Sequence, residues 1–157
     1  MNSIIIFCAQ YLYLFVILGI AIAWLKEKRE TKFKFLVAII VAGGIAFVLS
    51  RIASRLYYDP RPFVVEHVKP LFPHPADNGF PSDHALLTGT LTAIAYFFNK
   101  KTASVMLVLT VIIGAARVLA KVHSPLDIAG GWVFGIIGAV VSYYLVTWYW
   151  NKKLKAS

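Results

Sequence analysis

The chain has 157 residues, 59% of them hydrophobic and 15% charged, with a formal net charge of +9. A soluble domain of this length carries about 45–50% apolar and about 25% charged residues, because a small globule must cover its surface with polar side chains. The composition excludes disorder, a collagen-like repeat and a disulfide scaffold, and it predicts an integral membrane protein whose residues 1–157 form one domain. In such a protein the basic surplus speaks to membrane sidedness, so no nucleic-acid partner is expected. Cys8 is alone in an apolar stretch and reads as a small buried hydrophobe, with no intramolecular disulfide or thiolate metal site open to it.

In chain order, residues 3–25 carry no charge and are long enough for a spanning helix of about 20 residues. They lack the basic start and small-residue cleavage site of a signal peptide. A basic hairpin, 26–34, leads to a second span near 35–49, short unless Lys34 and Arg51 snorkel at its ends. Six of the seven prolines lie between Pro60 and Pro81, a density that no continuous helix tolerates. Segment 51–81 is therefore expected as a long loop at the headgroup level, with Arg55, Tyr57, Tyr58, Arg61 and Phe63 holding it there. A third span is predicted over 82–98 and a fourth over 102–118; after a short break the last covers 126–150. That last span ends in an aromatic belt (Tyr143, Tyr144, Trp148, Tyr149, Trp150) and a basic tail.

The predicted fold class is all-α, a helical bundle of about five transmembrane helices with its active site at one membrane face. Ten of the sixteen Lys and Arg residues fall in hairpin 26–34, hairpin 99–101 and the tail, and six fall in loop 51–81 and break 117–124. The positive-inside rule places the first set in the cytoplasm and the N-terminus outside.

Both outer segments carry polar groups at the start of a helix. Ser82 or Asp83 reads as the N-cap of the third span, with His84 just inside it; Ser124 caps the last span, with Pro125 as first helical residue and Asp127 in the first turn. Two helix starts on one face offer free N–H groups and positive dipole ends to an anion. Arg117 and Arg61 can converge there, so the pattern predicts a phosphate site. His123 precedes Asp127 by four residues, which lets the carboxylate accept its Nδ1–H and leaves Nε2 as base or nucleophile. His84 is the candidate acid for a leaving oxygen. His67, His74, Asp59, Glu66 and Asp77 read as loop residues, with Asp59 also able to pair with an arginine.

Arg61-Pro62, Pro81-Ser82-Asp83-His84 and Arg117-x5-His123-x3-Asp127 together resemble the three motifs of the type 2 phosphatidic acid phosphatase (PAP2) superfamily of membrane lipid phosphatases. The resemblance covers about residues 35–150. Three positions depart from the pattern: Asp83 replaces a glycine, Ala116 replaces a serine, and Ser54 stands at the first-motif lysine, with Arg55 as its nearest replacement and Arg51 a weaker one. The usual architecture has six helices, and five are counted here, as if the first were absent.

The resemblance implies that His123 is a nucleophile forming a phosphohistidine, oriented by Asp127. It implies that His84 protonates the leaving group and then activates water. Arg55, Arg61, Ser82 and Arg117, with Asp83 beside them, would form the phosphate site. No metal and no cofactor are implied. The Pro-Ser-Asp-His form, the outer placement and the small size point to undecaprenyl diphosphate, cleaved to the monophosphate and phosphate in recycling of the cell-wall carrier lipid, an activity linked to bacitracin resistance. Alternatives are a phosphatidylglycerophosphate or phosphatidate phosphatase, a small ion or proton transporter using His84, His123 and Asp127 as a relay, and a metal-dependent hydrolase with the same three residues as ligands. The expected partners are a lipid phosphate and the membrane; oligomeric state is left open.

Overall fold

A computed structural model describes residues 2–156, apart from the side chains of Leu154 and Ala156. Its elements are α1 (Asn2–Gln10), α2 (Tyr13–Lys26), α3 (Arg29–Leu56), the single turn α4 (Pro62–Val65), α5 (Asp83–Phe98), α6 (Lys100–Leu119) and α7 (Pro125–Ala156). Three of them, α3, α6 and α7, are each long and apolar enough to cross a membrane, and the bent pair α1–α2 makes a fourth such segment. The protein is a multi-pass helical membrane bundle. Large apolar side chains such as Ile40, Phe47, Val108, Ile136 and Leu145 lie exposed on its outer helix faces, where lipid would cover them.

Helix α5 stands at the centre. It has 16 residues, about 24 Å of helix against a hydrocarbon core of about 30 Å. Nine of its residues are buried, because α2, α3, α6 and α7 all pack on it. Without a hydrophobic force between helices in lipid, such packing relies on small residues that let backbones approach. Helix α7 supplies them: a Cβ on Gly131 would lie 2.8 Å from the Leu86 nitrogen, and one on Gly135 would lie 2.6 Å from that of Thr90. Against α3, a Cβ on Gly138 would meet the Ala42 carbonyl oxygen at 2.6 Å, and one turn on Ser142 Oγ donates to the Ala38 carbonyl at 2.7 Å. Thr92 and Thr110 join their hydroxyls at 2.9 Å between α5 and α6.

The basic hairpin and the tail share one end of the bundle, where Phe33 packs on Trp150 with ring centroids 5.6 Å apart. Of the expected aromatic belt, Tyr144, Trp148 and Tyr149 are exposed, whereas Tyr143 stacks on Phe97 at 4.2 Å and packs with Trp150 against the core.

Two boundaries differ from the sequence expectation. The uncharged stretch 3–25 is broken at Tyr11–Leu12 and bent by 45°. Arg117 Nη1 donates to the Ala9 carbonyl at 3.3 Å, so a guanidinium occupies a backbone acceptor at the break. The second span does not stop at residue 49. Helix α3 continues to Leu56, so Arg51, Ser54 and Arg55 are helical and the irregular segment starts at Tyr57.

Candidate active site

The end of α6 brings the motif residues together. Chain reversal there is a Schellman motif: Val122 N donates to Arg117 O at 3.3 Å and Lys121 N to Val118 O at 2.9 Å, with Lys121 left-handed at φ 65°. The turn carries His123 back beneath the Arg117 side chain. Helix α7 then opens with a reciprocal capping box, Asp127 N donating to Ser124 Oγ at 3.1 Å and Ser124 N to Asp127 Oδ2 at 2.8 Å. That box takes up N–H groups that the sequence pattern left open to an anion.

Asp127 Oδ2 also accepts from His123 Nδ1 at 3.1 Å, and both side chains are buried. On the other side of the ring, Nε2 lies 3.0 Å from Arg117 Nη2, while Arg61 Nη1 lies between the two ring nitrogens, 3.3 Å from Nε2 and 3.4 Å from Nδ1. Arginine only donates, so Nε2 is the acceptor and the proton rests on Nδ1. The imidazole is therefore fixed with an unprotonated Nε2 facing the Arg117 guanidinium, and Arg61 lies against the same ring. His123 lies in the break between α6 and α7. Burial lowers its pKa below the ordinary 6.5, with the Asp127 bond opposing and the charges of Arg117 and Arg61 reinforcing the shift.

The irregular segment is stitched to this core. Arg61 Nη1 donates to the Val122 carbonyl at 2.7 Å, and Arg61 Nε pairs with Asp77 at 2.8 Å. Burial works against ionisation of Asp77, yet the bond to Arg61 and its charge outweigh it and lower the pKa. Asn78 ties the loop to the end of α3: its Nδ2 donates to Ser54 O at 2.9 Å, to Ser54 Oγ at 3.2 Å and to Tyr57 O at 2.9 Å. Its Oδ1 accepts from Asp59 N and Phe80 N, both at 3.0 Å. Asp59 does not pair with an arginine; it accepts from Ser124 Oγ at 2.7 Å. Glu66 pairs with Lys121 at 2.8 Å.

These contacts leave a polar cavity of about 330 Å³ whose wall includes Arg61, Arg117, His123 and His84. Of the residues singled out in the sequence, Asp127 lies behind His123 and Ser82 is fully buried, its Oγ capping α5 through Ala85 N at 3.5 Å; neither lines the cavity. Asp83 lines it and pairs with Arg51 at 2.7 Å. Arg55 is exposed and is not among the lining residues, whereas Arg51 and Ser54 are. Arg55 lies in the last turn of α3, one turn beyond Arg51 and turned about 100° from Ser54, which lines the cavity between them.

Three lining or flanking residues carry no signal in the sequence. His74, read as a loop residue, lines the cavity, with Nε2 3.2 Å from Arg117 Nη2. Asn78 is the loop's anchor, and Tyr13 of α2 meets the His84 ring edge-on at 4.9 Å. Proline spacing marks the loop as irregular but says nothing of partners 24 or 43 residues away. No group of three or more His, Cys, Asp or Glu among the described residues is placed to hold a metal ion.

A helical membrane bundle with a cationic, histidine-centred cavity at one end belongs with membrane phosphatases, and comparison with known proteins gives the same class. The model described as the PAP2 superfamily matches residues 31–151, and the chain belongs to that superfamily, as a membrane lipid phosphatase. It is 32% identical over 145 residues to the bacitracin transport permease protein BcrC of Bacillus licheniformis, covering 92% of this chain and 71% of the relative. With the undecaprenyl-diphosphatase BcrC of Bacillus subtilis it shares 31% over 137 residues, 87% of this chain and 70% of the relative. The fold is similar to that of Aquifex aeolicus LpxE (TM-score 0.66, 24% identity, 90% of this chain and 86% of the other). It is similar also to a PAP2-type phosphatidylglycerolphosphate phosphatase of Bacillus subtilis (TM-score 0.65, 20% identity, 96% and 77%).

Proposed function

We propose that the protein hydrolyses undecaprenyl diphosphate to undecaprenyl phosphate and inorganic phosphate at the outer face of a plasma membrane. The observation that carries this reading is His123, held by Asp127 at 3.1 Å with its unprotonated Nε2 facing Arg117 and with Arg61 against the ring. Phosphoryl transfer asks mainly for positioning and for charge on the oxygens around phosphorus. The two arginines would turn their N–H groups from the ring to those oxygens. His123 Nε2 would then attack phosphorus as the bond to the lipid phosphate breaks, forming a phosphohistidine. His84 would give its proton to the departing oxygen, then take one from the water that attacks the phosphohistidine and releases phosphate.

The lipid part of the reading has its own support. An apolar groove of about 290 Å³ runs between α3 and α5, lined by Gly43, Ala46, Phe47, Leu86 and Leu91, and it meets the polar cavity at Asp83. Such a groove suits a hydrocarbon chain whose headgroup lies in the cavity. The relative from Bacillus subtilis named an undecaprenyl-diphosphatase supports the choice of headgroup. Sidedness rests on charge: the cavity lies at the end opposite the basic hairpin and tail. A proton or ion relay needs ionisable groups spread through the membrane, and His84, His123 and Asp127 are gathered at one end of their helices.

The test is phosphate release from a panel of lipid phosphates by purified wild type and His123→Ala, with and without EDTA. We expect the polyprenyl diphosphate to be preferred, His123→Ala to be inactive and EDTA to have no effect. Preference for phosphatidylglycerophosphate would move the substrate; activity in His123→Ala would remove the nucleophile assignment.

A further inference from the structure

Arg117 is buried, and the acceptors around its guanidinium are His123 Nε2 at 3.0 Å, His74 Nε2 at 3.2 Å and the Ala9 carbonyl at 3.3 Å. None of these is a carboxylate. Arg61, by contrast, is paired with Asp77. The His74 ring is oriented from its other side. Arg117 can only donate, so His74 Nε2 accepts, and Nδ1 carries the proton and faces the Pro75 carbonyl at 3.4 Å. His74 is fixed in place by its neighbours: Phe72 is buried in a cluster with Ala9, Ala116, Ala120 and Val122, and its ring lies 5.9 Å from the Arg117 guanidinium carbon. The segment thus clasps Arg117 from below with an aromatic face and at its edge with an imidazole lone pair.

A neutral acceptor orients a guanidinium without cancelling its charge, whereas a carboxylate does both. We propose that His74 is a positioning residue that aims Arg117 at the transferring phosphoryl group while leaving its full positive charge for that group. The inference rests on the phosphate-binding reading of Arg117. It assigns a function to a side chain whose sequence position, between Pro73 and Pro75, marks only a turn. The ring also stands 5.9 Å from that of His123, at the edge of the nucleophile, so a small drift of Arg117 is felt at the reacting nitrogen.

The decisive comparison is between two substitutions of equal size. In His74→Gln an amide oxygen can accept from Arg117 Nη2 at the reach of Nε2; in His74→Glu the same oxygen is charged. Inorganic phosphate, as a competitive inhibitor, reports the anion site separately from turnover. We expect His74→Gln to keep kcat/KM and the phosphate Ki within about threefold of wild type. His74→Ala should lose on the order of tenfold in both, since misplacing a charged contact by an ångström is costly. His74→Glu should lose more than His74→Ala, although it unfolds at the same temperature as His74→Gln. Equal values for His74→Glu and His74→Gln, or an unchanged His74→Ala, would overturn the inference. Arg117→Ala in the same inhibition assay separates the two levels: if it raises the phosphate Ki while the His74 series is flat, only the role of His74 falls. If Arg117→Ala leaves Ki unchanged, the phosphate-binding reading fails and His74 with it.

Discussion

Gly79 passes so close to Asp127 that a Cβ on it would lie 2.7 Å from Oδ2, the oxygen that accepts from His123. The same Cβ would lie 3.1 Å from the Asp59 carbonyl, so the loop cannot simply back away. Gly79→Ala should therefore shift the carboxylate and tilt the imidazole, lowering kcat about tenfold or more, while the overpacking costs about 1–3 kcal/mol of stability. Steady-state kinetics with thermal unfolding in detergent checks both; unchanged kcat would show that Asp127 does not orient His123 through this contact.

Arg51 and Arg55 differ by one turn of the same helix and should differ in function. Arg51→Ala removes a cation from the cavity wall and should reduce kcat/KM about tenfold, the loss of one charge-assisted contact of roughly 1.5 kcal/mol. Arg55→Ala, outside the cavity, should stay within about twofold. Kinetics of the two variants on the same lipid diphosphate decide between them, and the reverse ranking would return the phosphate contact to Arg55.

Asn78 holds the loop to the end of α3 through its side-chain amide. Asn78→Ala leaves the carbonyls of Ser54 and Tyr57 without that donor and should cost about 2 kcal/mol. Asn78→Asp should cost at least as much, because a carboxylate would face the same oxygens. Differential scanning fluorimetry in detergent reads the order; Asn78→Asp with wild-type stability would mean that the amide donors contribute nothing.

Acid should weaken both the fold and the reaction. Burial lowers the pKa of His123 and of His74 from 6.5; for His74 the charge of Arg61 adds to this and the Pro75 bond opposes it. For a histidine depressed on folding, the unfolded chain binds the extra proton first. The stability each contributes is thus present above 6.5 and is lost as pH falls through that value towards the folded pKa. The melting temperature should fall between pH 7 and pH 5, and the acid limb of kcat/KM should have its midpoint below 6.5. Asp127→Asn removes the carboxylate charge that raises the His123 value, so that limb should move further down as kcat drops. A limb centred above 6.5 would contradict the neutral-nucleophile assignment.

Local chemistry made much of this site legible. Ser124, Pro125 and Asp127 spell a helix start, and the four-residue step from His123 to Asp127 gives their contact directly. The spans read from apolar length match α6 closely and fall short on α3, where Arg51, Ser54 and Arg55 look like loop residues. Hydropathy reports where a helix meets lipid, not where its hydrogen bonds end. The break at Tyr11–Leu12 has no proline, glycine or charge to announce it, since its partner is Arg117, 108 residues from Ala9. His74 and Asn78 were hidden for the same reason: their meaning lies in distant partners that only the folded loop supplies.

The central claim is that His123 Nε2 carries the phosphoryl group, and rapid acid-free denaturation of enzyme turning over a terminally ³²P-labelled polyprenyl diphosphate tests it most directly. The account predicts protein-bound, acid-labile label that maps to His123 and that is absent from His123→Ala. Label on another residue, or phosphate release by His123→Ala at the wild-type rate, would contradict it.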